Sequence, residues 1–485
     1  MDEKVIKRKT VLGFFWKFAE RIIAQFVSFV VSVILARLLT PDDYSTVSLV
    51  MVFFAFANVL ISGGFNSALV QKKDSDNLDY STILIFSVAI SIAVYLLLFF
   101  AAPLIAALYH RDDLIKIVRI MGLSLPVTAV KSIWCSYISS RLLFKKFFMA
   151  TIWGTVVSAI VGIFLAHKGY GAWALVAQNM LNTLIDTIIL VISSHVNFGF
   201  RFSFERFRGL FKYGWKVLVS SIIGTLYSQT VPLFIGAKYT NEDLSFYTKG
   251  KSFPDLLSST ATYTLSAVLF PFLSKFQDEK SKLLEYTRLY IRLSSFIAFP
   301  LMLGLYAISN NFVLIILTSK WAPAVHYIKV FCIAMMFEMV HMGNCETIKA
   351  MGRSDIFLKM EIIKKSCYFI TIALFLVCTN RPESLAYAFV VCTAIALVVN
   401  SIPNIKLIDY SIKLQMADLL PNLFISVIMT ILVMLIGWIM PDGKVITLIT
   451  QIIGGALIYL FLSMITKNDN LKTIYQMIRM IFVRE

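Results

Sequence analysis

Fourteen long apolar runs constrain this chain more than any other feature. They lie at about residues 11–39, 43–66, 80–108, 114–138, 146–166, 170–196, 213–237, 243–271, 285–307, 323–347, 356–378, 384–405, 417–439 and 445–466. Each is close to the ~20 residues a helix needs to cross the hydrocarbon core. The expected fold is therefore an all-α polytopic membrane protein with about 14 transmembrane helices. Composition agrees, because charged residues make up 15% of the 485-residue chain, against about 25% in soluble proteins.

An even number of crossings puts both termini on one face. The termini and the connections sharing their face carry 25 Lys and Arg, and the opposite connections carry 6. The positive-inside rule then predicts that both termini are cytoplasmic. The formal net charge of +17 reflects this topology and the pull of anionic headgroups, not nucleic acid. The start, MDEKVIKRKT, leads into a run that is too long for a signal peptide and lacks a small-residue cleavage site, so it reads as an uncleaved first helix. The 6 cysteines all fall inside apolar runs without CxxC spacing, as core thiols do. The histidines form no metal-ligand pattern, and no Gly-rich phosphate loop or dinucleotide fingerprint is present. All outer connections are short. The chain therefore reads as a non-enzyme that uses no cofactor and no metal.

Residues 35–45, LARLLTPDDYS, are echoed by residues 235–245, IGAKYTNEDLS. Thr40, Asp43 and Ser45 recur as Thr240, Asp243 and Ser245, and a Trp-Lys pair (Trp16-Lys17, Trp215-Lys216) opens each preceding run. Both copies resemble helix N-terminal signals, with carboxylates at the positive end of the dipole. Counting helices, the repeat unit is six, and an even unit preserves orientation. This is the parallel-repeat transporter plan, in which two lobes bind substrate between them. The expected organisation is an N-lobe (1–196, helices 1–6), an amphipathic cytoplasmic linker (197–212), a C-lobe (213–407, helices 7–12), helices 13–14 (408–466) and a basic amphipathic tail (467–485), with a central cavity between two six-helix lobes. Segments 201–214 and 470–485 have the pattern of helices lying in the headgroup plane.

Polar residues at helical spacing mark the helices that face water. Helix 1 carries Lys17, Arg21, Gln25, Ser28 and Ser32; helix 7 carries Lys216 and Ser220; helix 8 carries Ser245, Thr248, Lys249, Lys251, Ser252, Asp255, Ser258, Ser259 and Thr262. Such stripes cannot face lipid, where a charge near the centre costs at least ~2.5–3.5 kcal/mol. Arg21, Lys216, Lys249, Lys251 and Arg292 are the candidate substrate-binding cations, and Gln25, Ser28, Ser32, Ser252 and Asp255 the candidate polar lining. A cationic cavity suits an anion, and Arg suits phosphate. Snorkelling to headgroups is the competing reading for Lys17, Lys216 and Arg288. Asp186, in a stripe with Asn179, Asn182 and Thr183 of helix 6, is a candidate for coupling to H+ or Na+; a hydrogen-bonded structural carboxylate is the alternative.

Several stretches go further. LARLLTPDDYS, ALVQKKD (68–74), GYGAWALV (169–176), FKYGWKVLVSSIIGTLYSQ (211–229), LFPFLSKFQDEKSKL (269–283), FPLMLGLYAI (299–308), SKWAPAV (319–325) and MGRSDIFLKMEIIKK (351–365) together resemble the Wzx-type polysaccharide flippases. The branch is the colanic-acid-exporter-like one, within the multidrug/oligosaccharidyl-lipid/polysaccharide exporter superfamily. Two positions depart from that pattern: Ser62-Gly63-Gly64-Phe65, where the family often has an acid before Gly-Phe, and Ser245, where a Gly is common. The resemblance implies that an oligosaccharide repeat unit on undecaprenyl diphosphate is flipped to the outer leaflet for capsule, exopolysaccharide or lipopolysaccharide O-antigen export. It implies alternating access of two lobes, membrane lipids as surroundings, and polysaccharide polymerase machinery as a candidate partner. A drug/cation antiporter of the same superfamily is the alternative; it would show an anionic cavity and usually twelve helices.

Overall fold

The computed structural model describes residues 25–472 apart from 63, 73–74, 142, 275, 442–443, 467 and 469. The expected positions Trp16, Lys17 and Arg21, and most of the amphipathic tail, lie outside the described residues. Among the described residues every regular element is helical. In order they are α1 (Gln25–Leu38), α2 (Pro41–Ser62), α3 (Phe65–Gln71), α4 (Asn77–Leu108), α5 (Asp113–Gly122), α6 (Ser124–Ser140), α7 (Phe144–His167), α8 (Ala172–Ser194), α9 (Phe204–Lys238), α10 (Asn241–Ser274), α11 (Lys280–Phe312), α12 (Ala324–Met335), α13 (Glu338–Ala350), α14 (Ser354–Cys378), α15 (Glu383–Leu407), α16 (Ile412–Ile439) and α17 (Val445–Ile465). Ten spans among the described residues are long and apolar enough to cross a membrane. The chain is thus an all-α, multi-pass membrane protein.

Two expected single helices are broken. Helix 4 divides into α5 and α6 at Leu123. Pro126 lacks an amide hydrogen and cannot bond the Gly122 carbonyl, which favours the interruption. Helix 10 divides into α12 and α13 around Met336 and Phe337, and α11 passes into a π-helical turn, Val313–Leu317, and a short 3-10 turn, Ser319–Trp321. Thr318 between them has a φ of 82°, a left-handed conformation for a β-branched residue.

The chain forms two compact units, Met1–Ser245 and Phe246–Glu485. In the first, an aromatic core gathers Phe65, Tyr80, Trp134, Phe198 and Leu210 from α3, α4, α6, the segment before α9, and α9 itself. Tyr80 stacks on Phe198 at 4.9 Å, and the Trp134 indole donates to Ser194 Oγ at 2.9 Å. The segment leading into α9 is tied to the start of α4: Arg201 N donates to Ser81 Oγ (2.7 Å), and Ser203 N to Thr82 Oγ1 (3.2 Å). Asp76 and Asp79 form a reciprocal capping box there. Backbone hydrogen bonding from Asp79 leads the effects that hold the Asp76 carboxyl below the ordinary carboxylate range. Buried Asp79 also pairs with Lys72 at 2.6 Å.

The amphipathic stretch 201–214 is not a separate interfacial helix. From Phe204 it is continuous with helix 7, giving a 35-residue α9 of about 52 Å. Its apolar face is used for packing as well as exposure: Phe207 lies 4.6 Å from Phe86 and 6.1 Å from Phe65, ring to ring.

In the second unit α16 and α17 pack against α11. Phe296, Ile425, Met429, Val433 and Tyr459 form that core, and the Tyr459 hydroxyl donates to the Phe296 carbonyl at 2.8 Å. Buried amides are satisfied by one another, as a low-dielectric interior demands. Asn404 donates to Asn344 Oδ1 (2.8 Å), Asn344 to Gln415 Oε1 (3.2 Å), and Gln415 to the Tyr410 carbonyl (3.1 Å).

Candidate transport surfaces

The internal repeat has an atomic counterpart. Thr40 N and Oγ1 both donate to Asp43 Oδ2 (2.9 and 2.7 Å), and Asp43 N donates back to Thr40 Oγ1 (3.2 Å). Thr240 and Asp243 make the same three bonds at 3.1, 2.6 and 3.2 Å. The two turns also meet, because Ser245 Oγ donates to the Pro41 carbonyl at 2.6 Å. Arg111 grips Asp42 with both terminal nitrogens, at 2.6 and 3.0 Å.

On α9, in the first unit, Lys216 and Ser220 are exposed. On α1, Ser28 is exposed, while Gln25 and Ser32 are half-buried. Asp186 sits among polar neighbours and one cation. Its Oδ2 accepts from Lys131 Nζ of α6 at 2.6 Å, and its side chain is 8% exposed against 29% for the lysine. Gly154 of α7 makes the room: a Cβ there would fall on the Asp186 carboxylate and against Asn182. Asn179 and Thr183 instead donate to carbonyls one turn back on their own helix. The polar stripe of helix 6 is thus largely absorbed by its own backbone, and its carboxylate is held in an ion pair. Lys131 makes no stripe in the sequence because it stands 12 residues beyond the nearest other cation of helix 4, Arg119; the rule that intramembrane charges pair points to it.

In the second unit the polar side of α10 divides in two. Ser252 and Asp255 are exposed and Lys251 half-buried. Lys249 turns inward and is only 6% exposed. Its ammonium lies 5.9 Å from the Phe253 ring and 5.6 Å from that of Trp321, within cation–π range. The spacing of helix 8 did not distinguish these roles, because Lys249 sits at the margin of the stripe, one turn before buried Phe253. Behind Lys251 and Asp255, Ser258 donates to Glu338 of α13 at 3.4 Å, and both charged residues are in electrostatic reach of Glu338. Glu338 is one of two acids in the apolar run 323–347, with Glu346, and carries no further sequence signal.

Arg292 lies elsewhere in that unit. Arg288 holds Asp418 through two bonds of 2.8 and 2.9 Å, the Tyr410 hydroxyl adds a third at 2.9 Å, and Arg292 Nε stands 4.0 Å from the same carboxylate. Burial, then the Asp418 charge, raises the Tyr410 phenol above its ordinary range. Arg288 is therefore an ion-pair partner of Asp418.

Comparisons with known proteins agree with this architecture. Over 299 residues the chain is 24% identical to the succinoglycan biosynthesis transport protein ExoT of Rhizobium meliloti (strain 1021), covering 61% of this chain and 60% of ExoT. The chain thus spans less than two thirds of that relative. It is 21% identical over 361 residues to the lipopolysaccharide biosynthesis protein WzxC of Escherichia coli (strain K12), covering 74% of this chain and 73% of WzxC. Its fold matches that of lipid II flippase MurJ in an inward closed conformation, with a TM-score of 0.77 and 18% identity, over 95% of this chain and 100% of MurJ. The family model described as "Polysaccharide biosynthesis protein" matches residues 34–326, more than half of the sequence, and the chain accordingly belongs to that family.

Proposed function

We propose that this protein flips a lipid-linked oligosaccharide, carried on undecaprenyl diphosphate, across the bacterial cytoplasmic membrane by alternating access of its two repeat-related halves. The observation that carries this reading is the polar side of α10, where Ser252 and Asp255 are exposed and Lys251 is half-buried. Lys216 on α9 supplies an exposed cation. A sugar head needs wet, hydrogen-bonding surfaces, a diphosphate needs cations, and a polyprenyl tail can remain in lipid. The names of the family and of the relatives point to polysaccharide export and away from drug antiport. Opening to the outside would separate the paired turns at Pro41 and Ser245. Both termini face the cytoplasm in this reading, and a proton or sodium gradient drives the cycle, with ~2.3 kcal/mol available per charge per 100 mV.

Arg21, Lys216 and Lys251 remain the proposed phosphate partners. Lys249 serves the interior of its own unit, and Arg292 a separate pocket beside Asp418. The test is flipping of lipid-linked oligosaccharide in proteoliposomes. Charge-assisted bonds contribute about 1.5–3 kcal/mol each, so a Lys216→Ala/Lys251→Ala variant should bind substrate about a hundredfold more weakly while inserting normally. Unchanged transport by that variant would refute the cationic-surface reading.

A further inference from the structure

Next to the Arg292–Asp418 contact is a cavity of about 400 Å³, lined by Arg292, Asp418, Pro421, Thr466, Asn468 and Asn470 among others. Its floor is built. Fully buried Asn422 donates to the Arg292 carbonyl (3.0 Å) and to Ser295 Oγ (2.7 Å), and accepts from Asn468 (2.8 Å) and Asn470 (3.2 Å). One residue therefore fastens α11, α16 and the turn after α17 around the pocket. Its charge is unbalanced. Asp418 is already satisfied by Arg288 and Tyr410, whereas the buried Arg292 Nε makes no hydrogen bond among the described residues. Pro421 lacks an amide hydrogen, so the Ala417 carbonyl beside the cavity has no i+4 donor.

The polar cavity is continuous with an apolar groove of about 650 Å³, lined by Ala417, Leu420, Pro421, Leu423, Phe424 and Val427; it shares Ala417, Pro421 and Phe424. This side of α16 is uncovered, with Leu420 53% and Phe424 67% exposed. The 28 residues of α16 extend about 42 Å, beyond the ~30 Å hydrocarbon core. Asp418 near its start is thus at headgroup depth, and Leu420 to Val427 descend into the acyl region. The pocket lies at the end of α17, where Thr466, Asn468 and Asn470 line it.

We propose that this is a binding site for a resident anionic phospholipid with a phosphoglycerol headgroup. Arg292 takes the phosphate, the Ala417 carbonyl accepts from a glycerol hydroxyl, and an acyl chain follows Leu420, Phe424 and Val427. Basic pockets between transmembrane helices on one membrane face bind acidic headgroups in this manner. The cavity has room for one phosphoglycerol group and too little for a diphosphate bearing several sugars, which separates it from the transported lipid.

The test uses the purified, delipidated full chain in detergent, with lipid binding read by native mass spectrometry. Dioleoylphosphatidylglycerol should bind at least about tenfold tighter than dioleoylphosphatidylcholine, as one charge-assisted phosphate contact provides. Arg292→Gln should bring the two lipids within about twofold, and Arg292→Lys should keep part of the preference. Ala417→Trp, which fills the groove and leaves Arg292 in place, should weaken both lipids alike. Arg292→Gln should fold, because Asn422 bonds the main chain of residue 292. An undiminished preference in Arg292→Gln overturns the proposal. So does soluble glycerol phosphate competing as well as the lipid, which would mark a free-phosphate site. Displacement by undecaprenyl phosphate at lower concentration would assign the pocket to the carried lipid and also overturn it. No transport is measured, so either outcome leaves the flippase reading to its own experiment.

Discussion

Asp186 shows how a carboxylate inside a membrane is made tolerable, and why removing its partner should be costly. Lys131 and Asp186 lie 2.6 Å apart on α6 and α8, and the lysine keeps some access to solvent. Losing one member of a fully buried pair costs about 3–5 kcal/mol; with this exposure roughly 1–3 kcal/mol is expected. Lys131→Met alone or Asp186→Leu alone should therefore lower the yield of folded protein and its melting temperature, and the double variant should recover most of both. Export decides the second role. If the pair is only structural, the recovered double variant exports against a gradient; if Asp186 couples an ion, it moves substrate only downhill. We expect the structural result, because the carboxylate already has its counter-ion. The sequence made Asp186 conspicuous as an acid in an apolar run, but not Lys131, since their pairing is set by helix packing across 55 positions. Lys249 taught the complementary lesson. Spacing placed it with Lys251 and Ser252, and only the burial of Phe253 and Trp321 reveals which way it faces.

At the scale of elements, close backbone approach fixes where α3 and α9 cross. A Cβ at Gly64 would overlap the Gly214 carbonyl, whereas a Cβ at Gly214 would meet Gly64 and Phe65 at 3.3 Å. The two glycines should therefore respond unequally. Gly64→Ala forces the helices apart and should cost about 1–3 kcal/mol, as overpacking does, while Gly214→Ala needs shifts of a few tenths of an ångström. Thermal unfolding of the detergent-solubilised variants checks this; equal midpoints would contradict the crossing. Element type was readable throughout, because long apolar runs in a membrane leave helix as the available conformation for each. Continuity was less readable. Hydropathy does not register Leu123 or Phe337, where helices 4 and 10 break. It also divided α9 at residue 213, because the polar face of residues 204–212 mimics an interfacial helix while Phe207 is used in the core.

At the scale of the whole molecule, the repeat and the charge asymmetry carry different information. The two turns at Thr40–Asp43 and Thr240–Asp243 make the same three bonds, but a helix bundle reads the same from either face. Orientation rests on the 25 basic residues of one face against 6 on the other, a bias that acts during insertion. Glu242 and Asp278 are exposed at opposite ends of α10 and its following turn, and neither is a partner in the Thr240–Asp243 cap. Single cysteines there report the two faces without disturbing a helix start. The background must lack the 6 native cysteines, above all exposed Cys378 at the end of α14, which would itself react from the outer side. In intact cells a membrane-impermeant maleimide should label Glu242→Cys and spare Asp278→Cys, and permeabilisation should expose the second. The reverse pattern would invert the protein and place the lipid pocket near Arg292 in the outer leaflet. Labelling of both sites in intact cells would mean that the chain inserts in two orientations, which a fourfold basic bias should prevent.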